Sequence, residues 1–97
     1  MREYEVTIIV QPQLDDAGRD ALIERVTGWL THSEDEADQP VINHWGMRQM
    51  AYPINDQKQG YYVLYEAKMD PAQVKDTERN MHFVEDLLRY LIVRKEG

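Results

Sequence analysis

The 97-residue chain contains no cysteine. Disulfides, thiolate metal sites and cysteine nucleophiles are thereby excluded. Its five glycines are isolated, with no G-x-G or P-loop spacing, so the sequence offers no glycine-rich cradle for a nucleotide phosphate. No apolar run approaches the ~20 residues of a membrane-spanning helix. The opening Met1-Arg2-Glu3-Tyr4-Glu5 is acidic where a secretory signal is basic and then apolar. The expectation is a cytoplasmic protein. Positive charge is also scarce: 11 basic residues face 18 acidic ones, a net charge of −7. A free-standing nucleic-acid binder is usually basic, so strong solitary binding is not expected.

What remains is a folded chain. A hydrophobic content of 42% fits a globular domain and not a disordered segment. The length predicts one domain over residues 1–97. A chain of this size buries roughly two-thirds of its unfolded surface, enough for one core with modest margin.

Hydrophobic periodicity divides the chain. Over Tyr4 to Val10, the residues Tyr4, Val6, Ile8 and Val10 share one face of a period-two strand, and Glu3, Glu5 and Thr7 the other. Gln11-Pro12 stops it. Asp15 to about Leu30 reads as a helix, with Ala21, Leu22, Val26, Trp29 and Leu30 as its apolar stripe. Asp15 and Asp16 suit its N-terminus. His32 to Pro40 is acidic and polar, a solvated loop. Val41 to Ile54 is extended, with a bulge expected at Gly46 and an edge position implied by Pro53. Asn55 to Gly60 is a polar turn, and Tyr61 to Met69 the next strand, with Val63, Tyr65, Ala67 and Met69 on one face. Asp70-Pro71 starts a second helix, with Gln73 placed for a capping box. It runs to about Phe83, with Val74, Met81 and Ala72 inward. Leu87 to Arg94 closes the chain as a strand in which Leu88, Tyr90, Ile92 and Arg94 alternate with Leu87, Arg89, Leu91 and Val93.

The order strand, helix, strand, strand, helix, strand is the α+β split β-α-β arrangement, the ferredoxin-like fold (βαββαβ). Right-handed crossovers put both helices on one face of a four-stranded antiparallel sheet. Its order is 4-1-3-2, so the second and fourth strands are edges and the second sheet face is bare.

Few residues carry chemistry. His32, His44 and His82 are scattered without ligand spacing, so no metal or other cofactor is expected. The carboxylates read as helix-start and loop residues, with no feature that separates their pKa values for acid–base work. One enzyme family of this fold hydrolyses acyl phosphates with an arginine in the loop after the first strand. Here that loop, Val10-Gln11-Pro12-Gln13-Leu14, has neither arginine nor glycine. No enzymatic activity is expected. RNA-recognition domains of this fold stack bases on sheet aromatics. Tyr61, Tyr62 and Tyr65 lie on the third strand, but the signature motif is missing and Glu3 and Glu5 would repel phosphate.

Two surface features stand out. Antiparallel pairing of the first and fourth strands brings Arg2 near Arg94 and Lys95. With Tyr4, and with Arg89 on the same closing strand, these form a candidate basic site on an acidic protein. The second strand carries Trp45, Met47, Met50, Tyr52 and Ile54, more apolar bulk than an exposed edge normally shows. A partner covering that edge would resolve the excess.

The residues also resemble a known family. Arg2-x-Tyr4-Glu5 with Pro12-x-Leu14, then Trp45-Gly46-x-Arg48-x-Met50-Ala51-Tyr52-Pro53-Ile54, Gly60-Tyr61-Tyr62 and Leu88-Arg89-Tyr90-Leu91-Ile92-Val93-Arg94, resemble bacterial small-subunit ribosomal protein six in order and interval. The resemblance spans nearly the whole chain. It implies the same fold. It also implies binding to the central domain of small-subunit ribosomal RNA, as a heterodimer with small-subunit ribosomal protein eighteen, within the cytoplasmic ribosome. By position it implies RNA contacts at Arg2, Tyr4 and Arg94. It gives Arg48 and its strand neighbours to the partner. Where the family often has a lysine after the second strand, this chain has Asp56, with Lys58 nearby. Ser33 to Glu36 replaces glycines common in the family. The residues alone leave a second reading open: a regulatory or dimerisation module that uses the bare sheet face to pair with itself or bind a small ligand.

Overall fold

The computed structural model describes residues 1–95. The chain forms strand β1 (Arg2–Val10), helix α1 (Asp16–Leu30), strands β2 (Val41–Ile54) and β3 (Gln57–Met69), helix α2 (Val74–His82) and strand β4 (Leu87–Arg94). The strands make one antiparallel sheet in the order β2-β3-β1-β4. This is the expected topology, with β2 and β4 at the edges.

The alternation expected for β1 and β3 sets the core. Tyr4, Val6, Ile8 and Val10 are buried beside Val63, Tyr65, Ala67 and Met69, against Leu22, Ile23, Val26 and Leu30 of α1 and Met81 of α2. Asp15 caps α1, accepting from the Gly18 amide at 2.8 Å. The stripe of α1 is rotated from the expected one. Ile23 is buried and Ala21 exposed, because the sheet contacts the Leu22–Ile23–Val26–Leu30 side. Tyr65 reinforces that contact by donating to the Ile23 carbonyl at 3.2 Å.

The second helix begins differently from the expectation. Pro71–Gln73 form one turn of 3₁₀-helix before α2, capped by Asp70, which accepts from the Ala72 amide at 3.0 Å. Gln73 makes no side-chain cap bond, and Ala72 is exposed. Thr77 and Met81 are the buried residues of α2. Within the polar loop after α1, Glu36–Asp38 form a further 3₁₀ turn.

Two irregularities shape the sheet. In β4, the register shifts beside Ile9/Val10, so Leu87 pairs with Val10 and is buried. The extra residue puts Leu88 on the opposite face from Tyr90, near Gly60. Simple alternation had placed Leu88 with Tyr90. In β2, the expected bulge occurs at Gly46, which adopts φ +84°. The β2–β3 hairpin is longer than expected, because β3 starts at Gln57 and the turn shrinks to Asn55-Asp56, both at positive φ. Solvated Gln and Lys side chains do not prevent strand pairing when the backbone partner is present.

Candidate nucleic-acid and partner interface

The residues expected to touch RNA fall into two places. At one end of the sheet, Tyr4 pairs with Arg94, and the Lys95 amide donates to the Glu3 carbonyl at 2.9 Å. Arg2 lies two residues before Tyr4 on the same sheet face. Arg2 and Arg94 are exposed; Tyr4 is buried at 7% exposure in the core beneath them. Arg89 pairs with Ile9 at the far end of the shared stretch. Five residue steps along the strand separate it from Arg94, roughly 17 Å at about 3.4 Å each. The basic site expected from the sequence is therefore not one patch.

The immediate surroundings of the first group are mixed in sign. Lys95 Nζ lies 2.9 Å from Glu66 Oε1. That hydrogen bond, together with the negative charge of Glu66, raises the Lys95 ammonium above the ordinary lysine range, with Glu5 and Glu3 adding to it. Lys68 is paired with Asp38 at 3.2 Å. Elsewhere, Arg19 pairs with Asp16 and lies over Tyr61, and Arg79 pairs with Asp76. Arg25 lies over the Trp29 ring. Among the described residues, Arg2, Arg89 and Arg94 have no carboxylate partner. Arg48 of β2 and Lys58 of β3 are likewise outside any ion pair among the described residues.

The edge strand β2 presents the apolar surface the sequence pointed to. Trp45 is 47% exposed, Met47 45% and Tyr52 58%. Arg48 is exposed and holds its guanidinium 5.0 Å from the Trp45 ring centroid. Met50 differs from the expectation: it is 8% exposed, turned into the molecule. On the helix-free sheet face, Leu91 and Val93 of β4 are also half-exposed.

The path of β2 near its end explains Met50. Pairing runs from Gln49 with Gln59 directly to Ile54 with Gln57. Met50 to Pro53 therefore stand opposite the single residue Lys58 and leave the ladder as a strap. Ile9 and Met50 are both buried, yet neither belongs to the core between sheet and helices. Gly60 leaves the room for Ile9, since a Cβ there would run into Ile9 Cγ2. Tyr52, on the strap, accepts a hydrogen bond from Arg89 Nη1 at 2.8 Å. No motif or periodicity marks this bond in advance.

The histidines are occupied locally. His32 Nδ1 accepts from the Asp70 amide at 3.3 Å, His44 contacts the Tyr61 hydroxyl at 3.0 Å, and His82 the Tyr90 hydroxyl at 3.4 Å.

Comparison with known proteins agrees with the fold. Residues 3–94 match the family described as Ribosomal protein S6. Small ribosomal subunit protein bS6 of Moorella thermoacetica is 35% identical over 96 residues, covering 99% of this chain and 96% of that protein. The protein of the same name from Exiguobacterium sibiricum is 36% identical over 96 residues, covering 99% of each. The crystal structure of 30S ribosomal protein S6 from Thermotoga maritima superposes with a TM-score of 0.83 at 24% identity, over 97% of this chain and 87% of that one. That likeness shows a shared fold. The family match and the two relatives go further: the chain belongs to the ribosomal protein S6 family, a family of structural and non-enzymatic proteins.

Proposed function

We propose that the chain is a structural constituent of the cytoplasmic small ribosomal subunit. In this reading it binds the central domain of small-subunit ribosomal RNA together with small-subunit ribosomal protein eighteen. One observation carries the reading: an acidic chain of net charge −7 exposes an apolar edge at Trp45, Met47 and Tyr52, with Arg48 beside it. Such a surface suits a protein partner, and the partner then supplies the positive charge that RNA requires. The contribution of this chain to the RNA is small and local. Arg2 and Arg94, exposed at one end of the sheet, are its proposed phosphate contacts, with Arg89 at a second place.

A double variant, Arg2→Ala with Arg94→Ala, tests these contacts. It should weaken the ternary complex and flatten its dependence on log salt by about one to two units of slope. The circular dichroism spectrum should not change, because both side chains lie outside the core. Unchanged ternary affinity would remove both residues from the site.

A further inference from the structure

The bond between Tyr52 and Arg89 joins the two edge strands of the sheet. With order β2-β3-β1-β4, those edges are three strand spacings apart, roughly 14 Å at ~4.8 Å each. Tyr52, in the unpaired run Met50–Pro53, and Arg89, the register partner of Ile9, close this distance with their side chains, which meet at 2.8 Å. Tyr52 therefore belongs to the apolar edge strand, but its hydroxyl meets a side chain of the opposite edge strand.

We infer that Tyr52 is a positioning residue for RNA: it holds the Arg89 guanidinium so that the remaining N–H donors face a phosphodiester of the bound strand. This rests on the reading of function given above and names a device within it. The choice of partner matters chemically. Lys95 is held by Glu66, a carboxylate that neutralises it. Arg89 is held by a neutral phenol, which fixes direction and leaves the full charge. Only one of its nitrogens, Nη1, is engaged, and among the described residues no carboxylate lies within ion-pair distance. A guanidinium presents its donors in a rigid fork, so fixing one nitrogen fixes the others. An arginine ordered beforehand loses less conformational freedom on binding.

The same geometry links the two surfaces. A protein partner lying on the β2 edge covers Tyr52 and immobilises the strap. That immobilisation passes to Arg89 through a single hydrogen bond. Partner binding and RNA binding then reinforce each other without a change of fold, as a coupling between sites requires.

The test is a double-mutant cycle on the preformed heterodimer with protein eighteen, titrated with a central-domain RNA fragment at saturating partner. Tyr52→Phe keeps the ring and removes the acceptor. It should lower RNA affinity about fivefold, the size of one ordinary hydrogen bond, and leave the salt slope unchanged. Arg89→Ala should lower the affinity further and reduce the slope by about one. In the Arg89→Ala background, Tyr52→Phe should have no added effect. Nitrogen-15 relaxation of the Arg89 side chain in the free chain supplies a second readout, and Tyr52→Phe should make the guanidinium more mobile. Additive effects, or an affinity indifferent to Tyr52→Phe, would overturn the positioning role. A wild-type heterodimer that fails to bind RNA would instead overturn the proposed function, and the RNA role of Tyr52 with it.

Discussion

Tyr65 shows how one polar atom is accommodated in the core. Its ring is fully buried, and its hydroxyl donates to the Ile23 carbonyl at 3.2 Å and lies 3.1 Å from the Thr27 hydroxyl. Burial pushes its pKa above the ordinary tyrosine value, and the Thr27 bond works against that rise. The linkage to stability follows in sign. Below pH about 10 both folded and unfolded chains keep the proton. Above it the unfolded chain ionises first, binds fewer protons than the folded one, and stability falls until the folded phenol also ionises. Denaturant titrations from pH 8 to 11 should show this loss. Tyr65→Phe should cost about 1 kcal/mol at neutral pH and make the alkaline loss shallower. An unchanged alkaline slope would place the titrating group elsewhere. Lys95 contributes in the same sense, since its pKa is also raised and its attraction to Glu66 is lost as pH climbs through that value.

At the scale of elements, the β2–β3 hairpin carries most of what distinguishes this surface. Its turn uses Asn55 at φ 50° and Asp56 at φ 64°, the two left-handed positions of a type I′ turn. Asp tolerates that conformation less well than glycine. Asp56→Gly should therefore stabilise the fold by about 0.5 kcal/mol, read as a higher denaturant midpoint. Gly60 is the converse case. Gly60→Ala should destabilise by about 1–3 kcal/mol through overpacking against Ile9. The cost should shrink when Ile9→Ala is combined with it, because the two sites share one space. Equal cost in both backgrounds would show that Ile9 does not set the limit at residue 60.

The same hairpin shows what was legible beforehand. Strand alternation in Tyr4–Val10 and Val63–Met69 gave the core directly, because one residue in two must face the helices. Asp15 and Asp70 gave the helix starts, because a carboxylate there accepts from the free amides of the first turn. The Gly46 bulge was legible from a glycine inside an alternating run. Three things were not. The rotated stripe of α1 depends on where the sheet lies. The shift at Leu88 depends on a bulge with no glycine or proline to mark it. The strap depends on the relative lengths of two paired runs, which is a property of register and not of either segment alone. The candidate site suffered most from this last point, since Met50, Tyr52 and Arg89 acquire their neighbours only through register.

The whole molecule divides its surface by charge and polarity. The acidic residues outnumber the basic ones, several cations are already paired, and apart from Met1 and Phe83 the exposed large apolar side chains of the described residues lie on β2 and β4. A protein so arranged should have little affinity for RNA alone and should gain it when a basic partner covers the edge. This is the central claim. Its most direct test is binding to a labelled central-domain fragment of small-subunit ribosomal RNA at fixed salt, with and without protein eighteen. The account predicts negligible binding by the chain alone and clear binding when the partner is added, beyond what the partner achieves by itself. Binding by the partner that is indifferent to this chain would contradict it.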